Sequence, residues 1–129
     1  CDQTCLNLLE RCDCAEKKIW EWAESEKEFT RRAAFALIAV TAVHWKKKDD
    51  EFFLQYFPLI EKHSCDSRNF VKKAVNWALR QIGKRSEMLR NEALKSCERL
   101  VDSENKTARW IAKDAIRELE NYSFRKKNL

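Results

Sequence analysis

The sequence predicts an all-α fold in which antiparallel helix pairs stack as a repeat solenoid. Two observations lead to this prediction. The 129 residues include one Gly and one Pro, so the chain lacks the turn residues that a sheet protein needs. Apolar residues recur at three- and four-residue intervals, and similar phrases start three of the helical blocks. At 129 residues, the chain is long enough for one domain with a modest core.

Blocks of apolar periodicity predict the individual helices. They cover a first segment through about residue 11 and then residues 15–24, 28–46, 50–62, 68–83, 86–100 and 105–121. Pro58 is expected to kink or restart its helix, because proline lacks the amide proton that a helix interior uses. Ser67, Ser86 and Ser103 are placed to cap the helices that follow them, and Gly83 is placed to end one.

The short links between blocks predict antiparallel neighbours, so the last six blocks form about three helix pairs. The second helices of these pairs begin FTRRAAFALI, FVKKAVNWAL and TARWIAKDAI, which align Arg32, Lys73 and Trp110 at steps of 41 and 37 residues. Such steps fall in the range of HEAT-type repeats, whose stacked pairs form a curved superhelix with a concave binding side. We therefore expect one HEAT-like solenoid over residues 1–129, with a closed helical bundle as the alternative.

The charge is uneven along the chain. Residues 1–65 carry a net charge of −2 and residues 66–129 carry +7, which favours an anionic partner for the second half. No apolar run is long enough to cross a membrane, and the longest apolar stretch lies mid-chain without the layout of a signal peptide. We expect a cytoplasmic protein that does not bind membranes.

Six cysteines raise the alternatives of a disulfide scaffold or a metal site. They occupy positions 1, 5, 12, 14, 65 and 97, within helix-like sequence. The chain has enough large apolar residues to form a core without disulfides, so we predict reduced thiols. A four-thiolate zinc site at positions 1, 5, 12 and 14 is the alternative, but structural zinc sites prefer other spacings. We predict no metal.

Adjacent cations begin the second helix of each pair: Arg31 and Arg32, Lys72 and Lys73, and Arg109. A helix N-terminus already carries partial positive charge, so cations there cost stability and call for a functional reason. Free amide groups, the helix dipole and a cation together suit a phosphate, and stacked repeats would hold several phosphates of one strand. The alternative is that these cations pair with nearby carboxylates, namely Glu24, Glu26, Glu28 and Asp66.

Tryptophan and histidine allow two further predictions. Trp77 lies one turn beyond Lys72 and Lys73, where its π face suits a cationic alkylated base; core packing is the alternative. The other four tryptophans, Trp20 and Trp110 among them, are expected in the core or between repeats. His63 lacks partners at catalytic spacing and is expected at the surface. No hydrolase triad, zinc-protease motif or phosphate-binding glycine loop occurs.

The phrases CDQTC, EWAESEKEFTRRAAFALI and VKKAVNWALRQIGKR resemble the carboxy-terminal half of the AlkD-like DNA alkylation repair family, the HEAT-repeat DNA glycosylases. The resemblance covers nearly the whole chain. The chain begins at the family's motif itself, so we expect it to be the carboxy-terminal part of a longer protein. It implies that Asp2 is the catalytic aspartate, Arg32 a phosphate contact and Trp77 an aromatic residue flanking the lesion. It also implies excision of 3-methyladenine or 7-methylguanine from double-stranded DNA by a monomer without metal or cofactor.

The residue types suit this chemistry. Alkylation makes a purine cationic and a good leaving group, and the sugar develops oxocarbenium character as the bond breaks. A carboxylate such as Asp2 can stabilise that charge and position the attacking water. Two alternatives keep the fold without the chemistry: a non-catalytic DNA-binding repeat protein and a solenoid that binds an acidic peptide.

Overall fold

Apolar residues at helical spacing form helices throughout the part of the chain that the structure describes. The computed structural model describes residues 15–44 and 50–121 and has no strand in these ranges. The helices are α1 (Ala15–Ala23), α2 (Glu28–His44), α3 (Asp50–Leu54), α4 (Tyr56–His63), α5 (Asn69–Gly83), α6 (Glu87–Val101) and α7 (Lys106–Glu120). The all-α prediction and the order of these helices are confirmed. The predicted segment through about residue 11 lies outside the described residues.

Pro58 divides the predicted block at residues 50–62, as expected. Helix α3 ends at Leu54 and α4 begins at Tyr56, which makes Pro58 the third residue of α4. The first four amides of a helix have no partner within it, so proline costs no hydrogen bond at this position. The same residue four positions later would break the helix.

One of the three predicted serine caps is confirmed. The hydroxyl of Ser86 accepts a hydrogen bond from the Leu89 amide at 3.2 Å. The residue before α5 is Arg68, without a side-chain cap, and the residue before α7 is Asn105, whose oxygen accepts from the Ala108 amide at 3.0 Å. The predicted caps at Ser67 and Ser103 are therefore wrong, because only the residue directly before a helix can reach its third amide.

The second helices of the pairs, α2, α5 and α7, lie side by side and run in parallel. The Phe29 and Phe70 rings meet at 5.4 Å near the starts of α2 and α5, and the Arg85 guanidinium donates to the Ala42 carbonyl at 2.9 Å near their ends. The amide group of Asn76 on α5 donates to the Ile111 carbonyl of α7 at 3.1 Å. This stacking of successive pairs confirms the helical repeat prediction.

The stack of second helices also forms the core. The interface between α2 and α5 is the most extensive in the described chain. Phe35 and Ile38 of α2 and Leu79 and Ile82 of α5 are fully buried. Each such side chain stabilises the fold by about 1.5–3 kcal/mol, which fixes the parallel arrangement and brings the first turns of α2, α5 and α7 together.

His63 is buried, with 5% of its surface exposed, so its predicted surface position is wrong. Its imidazole packs edge-on against the Phe35 ring at 5.6 Å, because the last turn of α4 faces the core helix α2. Burial is the main cause that lowers the pKa of His63, and the nearby charge of Arg31 acts in the same direction. The histidine is therefore favoured in its neutral form in the folded protein.

Candidate nucleic-acid interface

The parallel starts of α2, α5 and α7 place several exposed aromatic and cationic side chains along one edge of the repeat stack. Three rings on this edge are substantially exposed: Phe29 at 56%, Phe70 at 44% and Trp110 at 42%. Two cations lie over them, Arg32 and Lys72. We call these five residues the aromatic-cationic edge.

Both cations of the edge are held by rings rather than by carboxylates. The Arg32 guanidinium carbon lies 5.4 Å from the centre of the Phe70 ring, and the Lys72 ammonium lies 5.1 Å from the Trp110 ring. These distances are typical of cation–π contacts. Among the described residues neither cation has an ion-pair partner, and neither has the exposed Lys73. Ring contacts leave the charge un-neutralised and available to an anion.

Arg31 behaves differently from its neighbour Arg32. Its Nε donates to the Ala23 carbonyl at 3.0 Å, and its Nη1 donates to Oδ2 of Asp66 at 2.8 Å. The Arg31 side chain is 16% exposed and that of Asp66 is 8% exposed. Arg31 is therefore paired with a carboxylate, as the alternative to phosphate binding predicted. Its contacts join the end of α1 to the segment before α5.

Asp66 is the centre of this network. It accepts hydrogen bonds from the Arg68 side chain, the shortest at 2.7 Å, and from the Arg68 backbone amide at 3.1 Å. These bonds, with that from Arg31, hold the pKa of the Asp66 carboxyl well below its usual range, although burial acts in the opposite direction. Arg68 also donates to the Glu26 carbonyl at 2.6 Å. The network thus fixes the turns that lead into α2 and α5, which carry the edge.

The predicted free amides at these helix starts are partly occupied. A Glu28 oxygen accepts from the Phe70 amide at 3.3 Å, and Asn105 occupies the start of α7. Arg109 donates to the carbonyls of Ser103 and Glu104 at 3.0 and 2.8 Å, so its side chain also braces the segment before α7. The binding capacity of the edge therefore lies in side chains rather than in open helix ends.

Trp77 lies at the border of the core. Its ring is half-buried and packs against the core, while its position four residues after Lys73 places it on the same face of α5. Part of the ring is thus held rigidly and part is open on the helix face that carries a free cation.

Trp110 corrects an expectation, as does Trp20, which is 37% exposed. Trp110 was expected in the core or between repeats but is 42% exposed, because the buried positions of α7 are Ala108, Ile111, Ala112, Ala115 and Leu119. This three- and four-residue spacing places Trp110 on another face of the helix. This spacing of apolar residues can be seen in the sequence, and it would have excluded Trp110 from the core. The exposure of Phe29 and Phe70, in contrast, could not be predicted from periodicity alone.

The remaining chemical predictions concern Asp2 and the cysteines, and only two of these residues lie in the described part of the chain. Asp2 and the cysteines at positions 1, 5, 12 and 14 lie outside the described residues. The described cysteines, Cys65 and Cys97, are free thiols, and burial raises the pKa of Cys97 to about 12, which makes it unreactive. Within the described ranges no cluster of three His, Cys, Asp or Glu residues is suited to a metal ion. None of the helices in those ranges is long and apolar enough to span a membrane.

Comparison with known proteins agrees with the chemistry of the edge. The family model described as DNA alkylation repair enzyme matches residues 1–119. No curated protein and no solved structure matches the chain significantly. The matched range includes Asp2, the aromatic-cationic edge and Trp77. The all-helical repeat fold, the positively charged edge and this match together place the chain in the DNA alkylation repair enzyme family.

Proposed function

We propose that the chain is the part of a DNA glycosylase that holds duplex DNA and contributes to hydrolysis of the N-glycosidic bond of cationic alkylated purines, such as 3-methyladenine and 7-methylguanine. Membership of the family supports a role in DNA repair. The observation that carries the finer proposal is the position of Arg32, which lies over Phe70 and has no carboxylate partner among the described residues.

Arg32 is suited to a phosphate because no carboxylate among the described residues neutralises its charge. A guanidinium donates two parallel hydrogen bonds to one phosphate. Lys72 and Lys73 add point charges one repeat further along. Contacts of this kind hold the DNA backbone without reading its sequence. Arg31 and Arg109 support the site by fixing the turns before α2 and α7.

Trp77 and Asp2 supply the proposed chemistry. The open part of the Trp77 ring attracts the positive charge of an alkylated base, which ordinary bases lack. Asp2 stabilises the oxocarbenium character of the sugar and orients a water molecule. The water oxygen forms a bond to the anomeric carbon, the purine leaves with the electrons of the broken bond, and the carboxylate receives the proton.

The test is release of 7-methylguanine from a methylated duplex by the full-length protein and its Asp2→Asn variant. We expect the variant to lose activity by about 100-fold or more, the effect of removing a group that stabilises developing charge. Asp102→Asn is the matched control, because Asp102 is exposed at the end of α6. Equal, negligible release by all three proteins, with tight and salt-sensitive duplex binding, would instead indicate a non-catalytic DNA-binding repeat.

Duplex affinity tests the phosphate contacts separately. Arg32→Gln should weaken binding by about 1–3 kcal/mol, the usual value of a charge-assisted hydrogen bond. Lys73→Gln should also lower the slope of log affinity against log salt by about 0.9 if Lys73 contacts one phosphate. Lys95→Gln is the control, because Lys95, like Lys73, is exposed but lies on α6, paired with Glu92 at 3.2 Å. Affinity that does not depend on salt in any of these proteins would favour a protein-binding solenoid.

A further inference from the structure

The excision reaction proposed above uses the cations of the edge but not the exposed faces of its three rings. Phe29, Phe70 and Trp110 are each more than two-fifths exposed. Single exposed apolar residues are common, but three large rings at the starts of three neighbouring helices form a patch that points to a binding surface. Phe70 and Trp110 remain exposed although Arg32 and Lys72 lie over them.

The rings and cations form one continuous series across the repeat stack. Phe29 of α2 contacts Phe70 of α5 at 5.4 Å, with the ring planes tilted by 40°. Two positions after Phe70, Lys72 reaches across to Trp110 of α7 at 5.1 Å. The edge therefore crosses α2, α5 and α7 as two touching rings, with Arg32 over the second of them, followed by Lys72 and a third ring.

The charges around the rings favour an anionic partner. Lys106 and Lys113 flank Trp110 on the same helix, four positions before it and three after it. Both are exposed and, within the described ranges, neither forms an ion pair. The nearby carboxylates of Glu26 and Glu28 face Arg68, and that of Glu28 also accepts from the Phe70 amide. The cations next to the rings are left for a ligand.

We propose that the aromatic-cationic edge binds single-stranded DNA by stacking unpaired bases on Phe29, Phe70 and Trp110 while the cations hold the intervening phosphates. A single strand offers flat apolar base faces with negative charges beside them, and this edge offers exposed rings with positive charges beside them. Duplex DNA keeps its base faces inside the helix, and an acidic peptide lacks a flat group at each step. This binding activity uses rings that the excision reaction does not need, and it does not depend on that reaction.

The test compares two oligomers of equal charge, a thymidine strand and an abasic sugar-phosphate strand, each of about twelve units, a length within the range of known single-strand sites. Anisotropy of a terminal label gives both dissociation constants for the full-length protein. We expect thymidine to bind more tightly by at least about 5-fold, the lower end of what one stacked base contributes. Equal affinity for the two strands would overturn the proposal.

Variants assign the stacking to particular rings. Trp110→Leu and Phe70→Leu should each lower the ratio of the two affinities, and Trp20→Leu should not. Trp20 is a suitable control because it is similarly exposed, at 37%, but contacts Tyr56 at 5.6 Å in the layer of first helices. Phe29→Leu, at the most exposed ring, is the variant least able to disturb folding. A ratio unchanged in all three edge variants would refute the assignment.

The same proteins separate this inference from the proposed glycosylase. Release of 7-methylguanine from duplex DNA is measured alongside, with the thermal unfolding midpoint as a check of folding. If no protein excises the base but the thymidine preference depends on the rings, the stacking proposal stands and the glycosylase proposal fails. If excision is normal and the preference is absent, the reverse holds. Binding of an acidic peptide that the ring variants abolish, without a thymidine preference, would make the edge a protein interface instead.

Discussion

Removal of the Asp66 carboxylate is expected to destabilise the protein strongly, because this one group joins two turns of the fold. Asp66 is 8% exposed and binds Arg31 at 2.8 Å and Arg68 at 2.7 Å. Arg31 is itself held against the end of α1, and Arg68 against the Glu26 carbonyl. Asp66→Asn keeps the size of the side chain but removes its charge and replaces one acceptor with a donor.

The size of the effect follows from these contacts. Removing one partner of a buried ion pair costs about 3–5 kcal/mol, because the other charge stays buried. Arg68 is 35% exposed and can turn to solvent, whereas Arg31 is 16% exposed and cannot do so easily. We therefore expect Asp66→Asn to lower the free energy of unfolding by about 2–3 kcal/mol at neutral pH, just below that range because the pair is only partly buried. The melting temperature should fall by about 6–15 °C.

The effect should depend on pH in a defined direction. The pKa of Asp66 is lowered from its ordinary value of 3.8 in the folded state. The folded state therefore binds fewer protons than the unfolded state, and the stabilisation is complete above the ordinary value and decreases as pH falls below it. The difference in stability between the natural protein and Asp66→Asn should be constant from pH 7 to about 5 and shrink toward pH 3.

Denaturant unfolding of both proteins at several pH values between 7 and 3 measures this difference. Asp102→Asn is the control, because it makes the same chemical change at an exposed position. The reasoning would be refuted by a loss at pH 7 no larger than that of the control. It would also be refuted by a difference at pH 3 as large as that at pH 7.

Three further changes test other parts of the structure. Gly83→Ala should destabilise the protein by about 1 kcal/mol in thermal unfolding. The new Cβ would lie 2.7 Å from a Leu119 methyl carbon, and this overpacking would outweigh the gain in helix propensity. A stabilised variant would contradict this. His63→Gln should reduce the stability that the protein loses as pH falls from about 7.5 to 5.5. The pKa of His63 is lowered in the folded state, so the unfolded state binds a proton near pH 6.5 that the folded state does not bind. Identical profiles of stability against pH for the two proteins would exclude this role. Trp77→Ala should lower excision per folded molecule by more than it lowers duplex affinity, and unchanged excision with reduced melting temperature would return Trp77 to the core.

Most helix boundaries could be predicted from the sequence because they depend on neighbouring residues. The break before Pro58 follows from the missing amide proton, and the start of α6 follows from the Ser86 hydroxyl three residues before the amide it caps. The sequence predicts Ser103 as the cap before α7, whereas the cap is Asn105. Both residue types can cap a helix and they lie two positions apart, so the prediction depends on the residue at which the helix begins. Gly83 was expected only to end α5, yet it also allows close approach of Leu119 and Ala93 from two other helices.

The repeat itself was also readable from the sequence. Three similar phrases, which align Arg32, Lys73 and Trp110 at steps of 41 and 37 residues, predicted that the helices carrying them stack as equivalent parts of successive repeats. The parallel contacts between α2, α5 and α7 agree with this. Burial was harder to predict: His63 is polar by type and is buried, whereas Trp110 is apolar by type and is exposed.

The sequence by itself therefore determined the helices, their order and the edge at which their cations gather, because periodicity and spacing are properties of the chain. Only the tertiary structure decided which of those cations are available. Arg31 and Arg32 are adjacent and chemically identical, and a helix turns them about 100° apart. Asp66, 35 residues after Arg31, reaches one of them, and Phe70 lies under the other. One arginine is neutralised within the fold and the other keeps its charge for a ligand, because partners distant in sequence meet them only when the helices pack.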